Sequence, residues 1–269
     1  MVNPANVVRS ALSRAKGGRE RAAPSAAGRL VYAVGDIHGR YDLMKDLLAQ
    51  LAQDYGARAE GRTPLVVFLG DYVDRGPESA QVLEALLWLQ RRPEIEVHAL
   101  KGNHEQAMLD FIEAPEAGGP WLRYGGAETL AAYGVPPPAD EAEPADYLRA
   151  RDALLERMPA SHLRLLQQLE LMLVVGDYAF VHAGVRPGTP LENQAEDDLL
   201  WIRQEFLAAP GPFEKVIVHG HSWLDERPTL LPHRIGVDTG AYATGVLTAV
   251  RLEDESVSVL RTGDAQAAA

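Results

Sequence analysis

Three apolar runs in this chain each break off in a short polar signature, and that repetition narrows the folds open to it. VYAVGDIHGR (31–40) and LVVFLGDYVDRG (65–76) stop at Gly-Asp, and VHALKGNHE (97–105) stops at Gly-Asn-His. An apolar run closed by a turn signal reads as a buried strand. Asp36, Asp71 and Asn103 therefore fall where strands give way to loops, the rim at which open α/β sheets bind ligands.

Helices are expected between these strands. YDLMKDLLAQLAQDYG (41–56) places leucines at 43, 47, 48 and 51, an apolar stripe at helical spacing. Gly76-Pro77 opens a second helix carrying Val82, Leu83, Leu86, Leu87 and Leu89, and proline at a first turn removes an N–H that has no intrahelical partner. The order β-α-β-α-β implies parallel strands joined by right-handed crossovers. Residues 105–170 read as mainly helical, interrupted at 114–120 and by the acidic, proline-rich 135–144. Within them WLRYGGAETLAAYG (121–134) reads either as core filling or as part of a substrate rim.

From 171 the strands crowd together. LMLVVGDYAFVHAGV carries a hairpin signal at Gly176-Asp177. A helix near 197–208 follows, then KVIVHGHS, RIGVDTG, GVLTAVRLED and SVSVLRT. A second, partly antiparallel sheet packed face to face on the first would bury the apolar side of both. The expected fold class is α/β, a two-sheet sandwich flanked by helices. Residues 30–262 are expected to form one domain, residues 1–29 a basic and loosely ordered arm, and 263–269 a frayed tail. Contact of the arm with a membrane or an acidic partner is the second reading.

Composition excludes some chemistry. The chain has no cysteine, which removes disulfides, thiolate metal sites and a cysteine nucleophile. Its net charge of −12 opposes nucleic-acid binding. No run of 18 apolar residues occurs and the first residues lack an apolar block, so neither a transmembrane helix nor a secretory signal is expected, and the expected location is the cytoplasm.

The ligand candidates are Asp36, His38, Asp71, Asn103, His182 and His221, each at a strand end or just beyond one. Singly, each has an ordinary explanation as a cap, a turn residue or a satisfied core histidine. Together, acids and imidazoles buried at adjacent strand ends are costly unless a cation pairs with them. Six ligands that include several oxygens suit a pair of divalent ions better than one structural zinc, and Asp71 is the natural bridging carboxylate. His219 is left open between supporting a ligand and filling the core. His98, His162 and His233 are read as structural.

The blocks GDIHG (35–39), GDYVDRG (70–76), GNHE (102–105), HAG (182–184) and GHS (220–222) together resemble the signature set of the calcineurin-like metallophosphoesterases. More narrowly they resemble the phosphoprotein-phosphatase branch and its compact bacterial and phage enzymes. The resemblance spans about residues 30–250. It implies a two-sheet sandwich with two divalent ions in its cleft, most often manganese, with iron, zinc, nickel or magnesium as alternatives. It makes Asp36 and His38 ligands of one ion, Asp71 the bridge, and Asn103, His182 and His221 ligands of the other. It makes His104 the catalytic histidine, Asp74 its acidic partner, and Arg75 and Arg203 the phosphate-binding arginines, Arg203 from the more variable block LLWIRQEF. Two such ions, about 3.5–4 Å apart, clamp phosphoryl oxygens and deliver a bridging hydroxide, so neither a serine nor a cysteine nucleophile is needed. Salt pairing of Arg75 with local acids and a purely structural Asp74–His104 contact are the ordinary alternatives.

The implied activity is phosphomonoester hydrolysis, with a phosphorylated protein or peptide as substrate, small phosphoesters as further substrates, and no obligate regulatory subunit. DYVDRG followed by GNHEQ is closer to the protein phosphatases than to the symmetrical dinucleoside tetraphosphate hydrolases, which share the metal core and form the second reading. A phosphate-binding scaffold without turnover is the reading from another class. Residues 118–134 and 186–203 are the expected substrate rim.

Overall fold

A computed structural model gives the architecture, and it describes residues 23–58, 61–139 and 142–263. Five strands form each of two sheets. The first sheet holds β1 (Leu30–Val34), β2 (Leu65–Phe68) and β3 (Glu96–Ala99), with β9 (Thr248–Glu253) and β10 (Ser256–Arg261), in the order β10-β9-β1-β2-β3. The second holds β4 (Met172–Val175), β5 (Tyr178–Val181), β6 (Val216–His219), β7 (Thr229–Leu230) and β8 (Arg234–Gly236), in the order β4-β5-β6-β8-β7.

The parallel core is as expected. β1 pairs with β2 from Val31↔Leu65 to Val34↔Phe68, and β2 pairs in parallel with β3. Helices α1 (Tyr41–Arg58) and α2 (Ser79–Gln90) connect them, and α3 (Asn103–Glu113) leaves β3. Alternation along β1 explains the layering. Leu30, Tyr32 and Val34 face a helical layer that includes Leu47, Leu83 and Leu86, while Val31 and Ala33 meet Phe180, Val218 and Ile235 between the sheets. Ala179, Val181 and Ile217 turn outward beneath Leu199, Ile202 and Phe206. Each fully buried leucine or valine contributes about 1.5–3 kcal/mol, so both faces of both sheets are fixed in register by burial.

One expectation is corrected here. The chain after 171 does not all enter the second sheet: β9 returns to the first and pairs antiparallel with β1, from Leu30↔Glu253 to Val34↔Ala249, and β10 pairs with β9. Val250 and Leu252 thereby join the layer between the sheets, and Arg251 reaches Asp54 of α1 at 2.7 and 2.8 Å. A β1 left at an edge would expose a fully apolar strand; β9 covers it.

The middle region holds the short helix α4 (Gly119–Trp121), one wide turn at Leu122–Gly126, α5 (Ala127–Ala132), α6 (Pro144–Arg157) and α7 (Ala160–Gln167). The expected helix near 197–208 is two pieces, α8 (Glu196–Trp201) and α9 (Gln204–Leu207), parted at Ile202-Arg203; α10 (Ala241–Thr244) follows β8. Of the basic stretch 1–29, residues 1–22 lie outside the described residues; beyond them Ala26 is buried and Ser25 exchanges hydrogen bonds with Asp177 in the β4–β5 turn. Residues 264–269 of the tail also lie outside. Among the described residues no helix is long and apolar enough to cross a membrane.

Candidate metal centre

The ends of β1, β2, β3, β5, β6 and β8 converge on one cavity of about 210 Å³. Asp36, His38, Asp71, Arg75, Asn103, His104, Arg203 and His221 all line it, as do Trp223, Asp238 and Tyr242. His182 lies beneath, its Nε2 3.4 Å from Asp71 Oδ1 and 2.9 Å from Asn103 Oδ1. The structure therefore brings together every metal-ligand candidate read from the sequence, with His104, Asp74 and both arginines beside them.

The backbone that delivers these groups is strained. His38, Asp71, Asp74, Arg75 and His221 all adopt positive φ, between 48° and 72°, where side chains other than glycine are disfavoured. Glu105 supplies a compensating framework. From the first turn of α3 its buried carboxylate accepts the N–H groups of Asp71 (2.9 Å), Tyr72 (2.7 Å), Val73 (3.2 Å) and Gly102 (2.9 Å). Two glycines are required by close approach. A Cβ on Gly102 would stand 2.1 Å from Asp71 Oδ1, and one on Gly220 would stand 2.1 Å from Asp36 Oδ1.

Two triads of ligand atoms, His38–Asp71–His104 and Asp71–His182–His221, each lie within 4.8 Å of one another and share Asp71. Their chemistry fits divalent cations. His38 Nδ1 donates to Val73 O (2.9 Å) and His182 Nδ1 to Leu69 O (2.8 Å), which turns both Nε2 lone pairs into the cavity. Burial pushes His38 down to about 3 and His221 down to about 2, and lowers His182, so these rings are neutral donors. His221 Nε2 is buried without a hydrogen-bond partner among the described residues. Such an atom is costly unless something electropositive meets it. Asp36 is raised well above the usual carboxylate range by burial and by Asp238 and Asp71, the mark of anions crowded without a counter-ion.

His104 is held differently. Its Nδ1 lies 2.6 Å from Asp74 Oδ2, and its Nε2 lies 3.2 Å from Arg75 Nη2. Burial opposes charge on this ring, but Asp71 and Asp74 outweigh it and raise its pKa. Asp74 is in turn fully buried and accepts from Trp121 Nε1 (2.9 Å) and Thr129 Oγ1 (2.7 Å). The block 121–134 thus packs as core behind the cavity. Trp121, Thr129 and Leu130 are buried behind Asp74, Gly125 O accepts the Arg75 N–H at 3.1 Å, and Tyr124 is exposed. Arg203 sits at the break between α8 and α9, a segment tied down by Arg186, which donates to Asp198 and Glu205 at 2.7 Å.

His219 is buried against Phe206 and receives an Arg234 N–H on Nε2 at 3.4 Å, so it packs beneath the His221 loop and does not line the cavity. His98 lies between Glu96 and Glu170, and His162 between Glu84 and Tyr133. Sequence reading missed Glu105, Trp121, Thr129, Trp223, Asp238 and Tyr242. Glu105 and Asp238 had usable signals: Glu105 closes the GNHE block, and RIGVDTG is another apolar run that ends at an aspartate.

Residues 30–248 match the family model for calcineurin-like phosphoesterases. The chain is 28% identical over 236 residues to serine/threonine-protein phosphatase 2 of Escherichia coli K12, covering 84% of this chain and 94% of that protein. It is 26% identical over 244 residues to the asymmetrical bis(5'-nucleosyl)-tetraphosphatase PrpE of Halalkalibacterium halodurans, covering 84% and 92%. A solved structure of a proposed diadenosine tetraphosphatase matches with a TM-score of 0.60 at 20% identity, covering 90% of this chain and 99% of that one, a likeness of fold alone. The matched span contains both triads, and the chain belongs to the calcineurin-like phosphoesterase family.

Proposed function

We propose that this chain is a metal-dependent phosphoprotein phosphatase of the serine/threonine type, in the compact bacterial branch of its family. The observation that carries the reading is the shape of the cavity: about 210 Å³, walled by charged groups and flanked by Arg75 and Arg203. That volume takes a phosphoryl group and the first atoms of its leaving group. Drug-sized ligands are usually enclosed in about 300–1,000 Å³. A phosphorylated side chain on a larger surface satisfies the difference, and the rest of the substrate would lie along 118–134 and 186–203.

In this reading Asp36 and His38 would hold one ion and Asn103, His182 and His221 the other, with Asp71, common to both triads, available to each. When bound, the ions supply Lewis-acid polarisation of the phosphoryl oxygens and acidify water. Manganese is the expected metal. Arg75 and Arg203 grip nonbridging oxygens with fork geometry that a lysine lacks. His104, kept charged and oriented by Asp74, gives its Nε2 proton to the leaving oxygen. Water completes hydrolysis, and no covalent phosphoenzyme forms.

Dinucleoside polyphosphate hydrolysis is the second reading, favoured by the similarity to the Halalkalibacterium enzyme and by Trp223 and Tyr242, aromatic faces on which a base would stack. Metal-stripped protein refilled with Mn²⁺ is assayed for phosphate release from phosphoserine and phosphothreonine peptides beside diadenosine tetraphosphate, with Asp71→Asn as background. Faster turnover of peptides supports the phosphatase; clean nucleotide products with weak peptide turnover replace it with the second reading.

A further inference from the structure

Asp238 is a buried carboxylate in the cavity to which neither the motifs nor the two triads give a role. It follows β8, is 6% exposed, and accepts the Gly240 N–H on Oδ1 at 2.9 Å. Its backbone is pressed against the segment that carries Asp36: a Cβ on Gly35 would stand 2.8 Å from Val237 O and 3.3 Å from Asp238 Cα. Its side chain lines the same cavity as that of Asp36, and the two charges act on each other.

Asp36 is not free to turn away. Both its oxygens take the His221 N–H, at 3.2 and 3.0 Å, and Gly220 closes on Oδ1 from the same side. Two carboxylates buried in the wall of one cavity need either a cation beside them or a proton to offset their charge. Arg75 and Arg203 are the arginines lining the cavity, and Arg75 is engaged with His104 and with the face of Tyr242. The His38–Asp71–His104 triad is also short of donors, since His104 is committed to Asp74 on Nδ1 and faces Arg75 on Nε2. The orphaned Nε2 of His221 shows independently that this cavity is built for something electropositive.

We infer that Asp238 belongs to the metal centre, where its carboxylate supplies a further anionic oxygen on the Asp36–His38 side and divalent-cation occupancy of that side depends on it. This rests on the metal-centre reading above. The competing role is that of a turn residue, whose Oδ1 holds the Gly240 N–H and nothing more. Asparagine separates the two, since its Oδ1 still accepts from Gly240 while the charge is gone.

The test titrates metal-stripped full-length protein with Mn²⁺ alone, reading free Mn²⁺ by electron paramagnetic resonance and Tm in parallel. The wild type should take two ions. Asp238→Asn should take the first as the wild type does and need roughly 10- to 100-fold more Mn²⁺ for the second, the usual cost of losing a group that supports metal ligands. Stripped Asp238→Asn should melt no lower than the stripped wild type, because a like-charge repulsion has gone, and should gain less from Mn²⁺. Superimposable two-ion curves overturn the role of Asp238 and leave the centre intact; a wild type that takes up no Mn²⁺ overturns both. If Asp238→Asn does not fold, Asp238→Ser, a short uncharged acceptor for Gly240, is titrated in its place and read by the same curves.

Discussion

Asp74 holds the His104 ring from behind, its Oδ2 2.6 Å from Nδ1, and so aims Nε2 into the cavity. The carboxylate is itself immobilised by Trp121 and Thr129, which fixes the orientation of the histidine ring.

Replacing that carboxylate should therefore cost proton transfer more than binding. Asp74→Asn is expected to lower kcat by roughly 10²- to 10⁴-fold, the usual range for a general acid, with KM little changed. The loss should shrink for p-nitrophenyl phosphate, whose leaving oxygen needs little protonation. The pH profile gives the sign. Burial opposes charge on His104, Asp71 and Asp74 raise its pKa, and Arg75 works against them. The active, protonated ring is present below that pKa and lost as pH rises through it, so removing an anion must move the alkaline limb to lower pH. Equal losses on both substrates with an unmoved limb would mean that His104 is not the acid.

Glu105 offers a test on stability. Its carboxylate meets four N–H groups, and a side-chain amide in its place would present NH₂ to some of them. Glu105→Gln is expected to destabilise the fold by about 3 kcal/mol, since hydrogen bonds to a charged group are each worth roughly 1.5–3 kcal/mol. It should also weaken Mn²⁺ binding, because the Asp71 backbone depends on it. Urea unfolding of the loaded protein checks the first expectation; a midpoint equal to that of the wild type would remove Glu105 from the framework.

Stripping the metal should expose a pH dependence that loading hides. Burial raises Asp238 to about 6 and, with Asp71 adding to it, Glu105 to about 7. A carboxyl raised in the folded state supports the fold while protonated, and that support is lost as pH rises through its folded pKa. Read as the difference from stripped Asp238→Asn, in which the titrations of the lowered histidines cancel, the Tm of the stripped wild type should fall between about pH 4 and 6, and the fall should be much reduced with Mn²⁺, whose charge offsets the buried anions. Parallel Tm curves with and without metal would refute this.

Much of the fold and centre is legible in sequence because the ligands sit where apolar strands stop. GDIHG, GDYVDRG and GNHE are local signals, and the parallel sheet they close brings their residues together. Sheet membership is not local: GVLTAVRLED reads as a strand, but only the need to cover β1 decides that it pairs there. The groups behind the centre are equally silent. Trp121 and Thr129 look like core residues, and only a wide turn with Gly125 at φ 117° puts them on Asp74. Tyr242 depends on the placement of a four-residue helix.

That helix bears on the phosphate recognition proposed for Arg75. Arg75 takes φ 68°, its N–H is held by Gly125 O at 3.1 Å, and its guanidinium lies 4.3 Å from the centre of the Tyr242 ring. Arg40 anchors α10 by donating to Ala241 O at 3.0 Å, so the ring is a fixed shelf for the guanidinium. Arg75→Lys keeps the charge but loses the fork, and kcat/KM should fall roughly 100-fold, as on loss of one preorganised donor. Tyr242→Phe keeps the face and should be close to wild type. Tyr242→Leu removes it and should raise KM about fivefold with kcat little changed, since a cation–π contact is worth about 1 kcal/mol. Steady-state kinetics on one phosphopeptide distinguishes the three. If Tyr242→Leu matches Tyr242→Phe, the ring does not position Arg75, and the Gly125 carbonyl alone sets the arginine over the cavity.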